Sequence, residues 1–162
     1  MWWPKQYSDL NPFENLEIIH GTTKFEGYSM IITRLSIHSL GLSSLKEIRN
    51  GNVLIKANKN LCYVDSINWR TILKTNQQKE IENNQSNEEC AAADKMCDPL
   101  CSVGGCWGPG PFQCFSCHTF SLDGECLQPC SILERVQTNV SDVLTTKMVH
   151  TVSNHVQRDS RE

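Results

Sequence analysis

Seven of the nine cysteines of this chain fall between Cys97 and Cys130, in the spacing C-x3-C-x4-C-x7-C-x2-C-x8-C-x3-C. Thiols at that density do one of three kinds of work: they hold zinc, exchange electrons as a C-x2-C pair, or close structural disulfides. Cys114-Phe115-Ser116-Cys117, with His118 beside it, has the form of a zinc knuckle, but the other close pairs are C-x3-C and supply no second knuckle. A redox pair needs to open a helix after a strand, so that the helix N-terminus lowers the thiol pKa. This one lies between Gly108-Pro109-Gly110-Pro111 and Ser121-Leu122-Asp123-Gly124, both turn-forming. The residues between the cysteines bury too little apolar surface to fold unaided. The spacing therefore favours a ladder of structural disulfides in an extracellular module, and connectivity does not follow from it.

No other constellation in the chain points to catalysis. His20, His38, His118, His150 and His155 are dispersed, and there is no Gly-rich phosphate loop, nucleophile elbow or H-E-x-x-H. A formal net charge of −3 with scattered basic residues argues against a phosphate-binding surface and hence against nucleic acid as a partner. No cofactor and no metal is expected. No window approaches the apolar length of a membrane span, and Met1-Trp2-Trp3-Pro4-Lys5-Gln6-Tyr7 has no apolar signal-peptide core. Cysteines that want an oxidising compartment, with no leader and an odd count, lead us to expect an internal piece of a longer secreted or membrane protein. Asn84-Gln85-Ser86 and Asn139-Val140-Ser141 are glycosylation sequons, the first in an expected exposed loop.

The elements that must carry these residues show in the apolar pattern upstream. Phe13, Leu16 and Ile19 recur at identical internal spacing as Leu42, Leu45 and Ile48, and the pair Met30/Ile32 recurs as Val53/Ile55. Two turns of a leucine-rich solenoid explain both recurrences better than a pair of hairpins, with alternate strand residues entering a shared core. Asn58 stands at an expected corner, where its amide can serve turn backbone groups. Ser66–Leu73 reads as a short capping helix and residues 74–89 as a polar loop. Two rungs are fewer than a solenoid needs, so the chain is expected to start partway through a domain. The fold class is therefore mainly β: the C-terminal part of a right-handed β-solenoid, then a small irregular disulfide-rich module. The expected boundaries are a lead-in over 1–12, solenoid with its cap over 13–96, the cysteine-rich module over 97–130, and a divergent, disordered tail over 131–162.

Cys97-Asp98-Pro99-Leu100-Cys101 with Gly104-Gly105-Cys106-Trp107-Gly108-Pro109-Gly110-Pro111 and Gln113-Cys114-Phe115-Ser116-Cys117 closely resembles the first cysteine-rich repeat after the second L domain in the epidermal growth factor receptor (ErbB) family. Phe13–Ile19, Ser39-Leu40-Gly41-Leu42, Ser44–Ile48, Asn60-Leu61-Cys62-Tyr63 and Ile67-Asn68-Trp69 resemble the end of that L domain. The resemblance covers about residues 3–133.

The resemblance implies bridges Cys62–Cys90, Cys97–Cys106, Cys101–Cys114 and Cys117–Cys126, with Cys130 left unpaired as the start of a next module. It implies that Trp107 inserts into the L domain and fixes the angle between the two units. It places Tyr28 and Leu54 at growth-factor contacts, with Phe25 and Gly27 near others. The implied parent is a transmembrane receptor tyrosine kinase on the extracellular side of the plasma membrane, partnered by a polypeptide growth factor and ErbB co-receptors. This chain, without a kinase, is expected to be non-catalytic. A soluble decoy isoform that blocks receptor pairing and an intracellular zinc module are the alternative readings.

Overall fold

Ile19 and Ile48 occupy the same position on consecutive rungs of a parallel stack, and the rest of the fold is built on that repetition. In the computed structural model, which describes residues 3, 4 and 6–128, β1 (Ile18–Ile19) pairs in parallel with β3 (Glu47–Ile48), and Ile48 bridges on to Leu73. A second parallel sheet runs in the order β2 (Tyr28–Thr33), β4 (Asn52–Lys56) and β5 (Lys79–Glu82). Its register places Met30 beside Val53 beside Lys79, and Ile32 beside Ile55 beside Ile81. The two expected recurrences are therefore rungs of a solenoid, with parallel pairing where hairpins would be antiparallel.

The solenoid has three rungs, one more than the sequence reading gave it. The residues read as a polar loop contain β5 and the start of α1 (Asn87–Ala92). Only Ile81 of Lys79-Glu80-Ile81-Glu82 is apolar and inward, so β5 carries almost none of the alternation that marks a strand. Its position at the edge of the sheet explains the composition, because charge on an edge strand discourages further pairing. Backbone amides supply what side-chain packing does not: Val53 N–H donates to Gln78 C=O and Gln78 N–H to the Asn52 carboxamide. The expected capping helix is two 3-10 turns, Val64–Ser66 and Trp69–Thr71, with Trp69 buried and its indole N–H on Val64 C=O.

Between the two sheets lies one apolar core, in which Ile37, Ile48, Val53, Ile55 and Leu61 are completely buried. Each such side chain contributes about 1.5–3 kcal/mol by leaving water. Asn58 is buried with them and fully used: its Oδ1 accepts from Leu35 N–H, and its Nδ2 donates to Ile32 C=O and to Asn84 Oδ1. One amide thus ties three successive turns together. Cys62–Cys90 fastens α1, which opens with a Ser86/Glu89 capping box, back onto the second rung. Closing a loop with 28 residues of separation is worth about 3–4 kcal/mol through the unfolded chain.

Two compact units divide the chain, Met1–Cys126 and Leu127–Glu162. The first holds the solenoid together with most of the cysteine-rich segment. Of the second only Leu127 and Gln128 are described, so the expectations for Cys130, for Asn139 and for a disordered tail over 131–162 lie outside the described residues.

Candidate functional site: the outer sheet face and the module that braces it

The β2–β4–β5 sheet turns one face to the core and the other outward. Met30, Ile32, Val53 and Ile55 point in, so Ile31 and Leu54 point out, and a register shift between Tyr28 and Met30 pairs Tyr28 with Asn52 and turns it to the outward side as well. Register aligns Ile31, Leu54 and Glu80 in one outward row, and Thr33, Lys56 and Glu82 in the next. Phe25, largely exposed, joins them across a tight turn in which Phe25 and Tyr28 exchange both backbone hydrogen bonds. Glu26 and Gly27 at its centre have φ of 51° and 88°, the left-handed pair that a two-residue hairpin turn demands.

The face is apolar at its centre and acidic at its rim. Tyr28 donates its phenol proton to the Glu80 carboxylate, and Lys56 pairs with Glu82 at 2.8 Å. The phenol pKa is raised above its ordinary 10.0, first by the hydrogen bond to Glu80, then by desolvation and by the charges of Glu80, Glu26 and Glu82. Three carboxylates thus act on one tyrosine, with Lys56 the cation among them. Because folding favours the protonated phenol, this interaction stabilises the fold below pH 10 and is lost as pH rises through the raised folded pKa. Burial, with the charge of Asp94, also raises Tyr63. In an alkaline absorbance titration, Glu80→Gln is expected to move the Tyr28 step to lower pH and leave the Tyr63 step in place. An unchanged curve would show that Tyr28 and Glu80 do not interact in solution.

The cysteine-rich segment forms a narrow antiparallel ribbon that packs against the connections around Leu40 and Ser66–Trp69. Bridges join Cys101 to Cys117 and Cys106 to Cys114 in backbone register, and the ribbon is crossed by disulfides Cys97–Cys106 and Cys101–Cys114, with Cys117–Cys126 closing the loop that follows. All eight cysteines among the described residues are disulfide-bonded, so Cys114 and Cys117 belong to different bridges and not to one knuckle.

Trp107 anchors this ribbon to the solenoid. It is 1% exposed, meets Trp69 edge-on at 5.9 Å, and its carbonyl accepts from Leu40 N–H and Gly41 N–H. Gly105 makes the close approach possible: at φ +82°, an added Cβ would lie 1.9 Å from Ser66 O. Ser66 completes the joint, donating to Tyr63 C=O and accepting from Cys106 N–H.

The structure therefore puts Tyr28 and Leu54 on one outward face, and Trp107 at the joint between the ribbon and the solenoid. Sequence reasoning missed Ile31, which the alternation of β2 already marked as outward, and Glu80, whose place depends on the unrecognised third rung. Asn84 is a corner residue of the third rung, accepting from the backbone and side-chain amides of Asn58.

A parallel solenoid with a tryptophan-anchored, disulfide-crossed ribbon is the architecture of a growth-factor-receptor ectodomain. Residues 2–73 match the Receptor L domain family, and residues 96–160 match Growth factor receptor domain IV, a match that runs on past Cys130. The chain is 54% identical over 134 residues to the epidermal growth factor receptor of Gallus gallus, covering 82% of this chain and 19% of that receptor. It is 44% identical over 148 residues to the epidermal growth factor receptor of Apis mellifera, covering 90% of this chain and 11% of the relative. It is 43% identical over 134 residues to the receptor tyrosine-protein kinase erbB-4 of Homo sapiens, covering 82% and 10%. The chain belongs to the epidermal growth factor receptor (ErbB) family and spans a tenth to a fifth of the length of these relatives.

Proposed function

We propose that the outward face of the β2–β4–β5 sheet is a growth-factor-contacting surface, in which Tyr28 and Leu54 touch the ligand. The observation that carries this reading is their convergence: two residues singled out by resemblance stand on one outward face, with Ile31, from the strand of Tyr28, paired to Leu54 in register. An aromatic with a polar tip beside two aliphatic side chains is the composition of an interface centre. Residues 13–96 are then the ligand-presenting L domain and residues 97–130 the module that sets its orientation through Trp107. The whole receptor would bind a polypeptide growth factor outside the cell, pair with another ErbB receptor and signal through a kinase that lies elsewhere in the protein. The stretch represented here contributes recognition and no chemistry.

The test is an NMR titration of the isotope-labelled chain with epidermal growth factor and, separately, with the growth-factor domain of a neuregulin. Perturbations are expected to cluster on Phe25, Tyr28, Ile31, Leu54 and Glu80 for at least one of the two. Leu54→Glu is expected to weaken that binding about tenfold or more, as loss of an apolar interface centre does. Perturbations confined to other surfaces, or none with either ligand, would contradict the proposal.

A further inference from the structure

Asn84-Gln85-Ser86 is a complete glycosylation sequon, yet both of its chemically essential side chains are already occupied in the fold. Asn84 Oδ1 accepts from Asn58 N–H at 3.1 Å and from Asn58 Nδ2 at 3.0 Å, and Asn84 Nδ2 donates to Ile55 C=O at 3.0 Å. The hydroxyl of Ser86 is the N-cap of α1, accepting from Glu89 N–H at 3.2 Å, while the Glu89 carboxylate accepts from Ser86 N–H. Asn58, the partner of Asn84, is completely buried and has no freedom to follow it outward.

We propose that glycosylation of Asn84 and closure of the third rung exclude one another, so that the folded protein carries Asn84 unmodified. The transfer forms a bond from Nδ2 to the anomeric carbon of an oligosaccharide. It breaks the bond from that carbon to the lipid pyrophosphate that carries it, which leaves as the anion, and it releases one Nδ2 proton. The product is a secondary amide, and such amides strongly prefer the trans arrangement, with the new carbon on the same side as the carbonyl oxygen. That side is where the oxygen of Asn84 receives its Asn58 donors. A sugar there displaces Asn58, or else Asn84 swings out, taking the donor from the Ile55 carbonyl and the acceptor from the backbone N–H of the buried Asn58. The transferase must also reach the hydroxyl two residues on, and in the fold that hydroxyl is holding α1. A sequon on an ordinary exposed loop would meet neither obstacle.

The test is site occupancy at Asn84 in the full chain, directed into the secretory pathway of animal cells and read by glycopeptide mass spectrometry on separated monomeric and aggregated fractions. In the monomeric, disulfide-bonded fraction Asn84 is expected to be unmodified. Ser86→Asp keeps an N-cap acceptor while deleting the sequon, and is expected to match the parent's Asn84 peptide state and its melting midpoint. Asn58→Ala removes the side-chain donor to Asn84 and strands the Leu35 N–H and Ile32 carbonyl that brace the corner, so the third rung closes less readily, and it is expected to raise occupancy to a majority of molecules, whether or not that variant completes folding. A glycan on Asn84 in the folded monomer would overturn the proposal. So would an Asn84 left unmodified in Asn58→Ala, because the sequon would then be ignored for a reason unrelated to the rung.

Discussion

Trp107→Ala is expected to destabilise the chain by about 3–5 kcal/mol, the usual cost of deleting a buried tryptophan, and to free the cysteine-rich ribbon from the solenoid. The disulfides of the ribbon stay closed in this variant, since they are local to it, but the ring that spans the joint to Trp69 and the core is gone. Trp107→Phe is expected to be much milder. The indole Nε1 of Trp107 is buried without a hydrogen-bond partner, so phenylalanine sacrifices volume and no hydrogen bond. Denaturant unfolding at a constant m-value measures both, and limited proteolysis between Gly108 and Phe112 reports the release of the ribbon. Equal, small losses for the two substitutions would show that the ribbon is held by its backbone contacts to Leu40 and Gly41 alone.

Asn58→Leu is expected to cost about 2–5 kcal/mol, even though leucine matches asparagine in shape and suits the apolar surroundings. The substitution strands the Leu35 N–H and the Ile32 carbonyl and removes the side-chain link to Asn84, leaving only the backbone N–H of residue 58 to hold it. Each stranded buried group costs about 1–3 kcal/mol, which outweighs the gain from a more apolar side chain. The loss should be concentrated at the sheet edge: amide hydrogen exchange is expected to accelerate most in β5, whose neighbours supply most of its support. Uniform acceleration throughout the solenoid would mean that the corner is not what retains the third rung.

Elements that bury an apolar face were legible in the sequence. Met30/Ile32 and Val53/Ile55 announce β2 and β4 through alternation, and their register follows the recurrence they show along the chain. β5 was not legible, because a single inward isoleucine among charges leaves no period to detect, and hydrogen bonds from Asn52, Asn84 and neighbouring backbone hold it instead. The same blind spot disguised Asn84. Its spacing from Asn58 repeats the spacing of Ile81 from Ile55, but without the third rung it read only as part of a sequon. The pairing of the cysteines and the positions of Tyr28, Leu54 and Trp107 came from family resemblance, since spacing restricts disulfides without choosing among them. Glu80 needed the structure outright, because its meeting with Tyr28 spans a register between the first and third strands of the sheet.

The central claim is that a solenoid edge and an interlocked disulfide ribbon form one receptor-type unit. Non-reducing peptide mapping by mass spectrometry, on chain produced through a secretory pathway, tests it most directly. The predicted linked peptides are Cys62–Cys90, Cys97–Cys106, Cys101–Cys114 and Cys117–Cys126, in which the second and third bridges cross. Sequential pairing of Cys97 with Cys101 and Cys106 with Cys114, or free thiols at Cys114 and Cys117 holding zinc, would contradict the account.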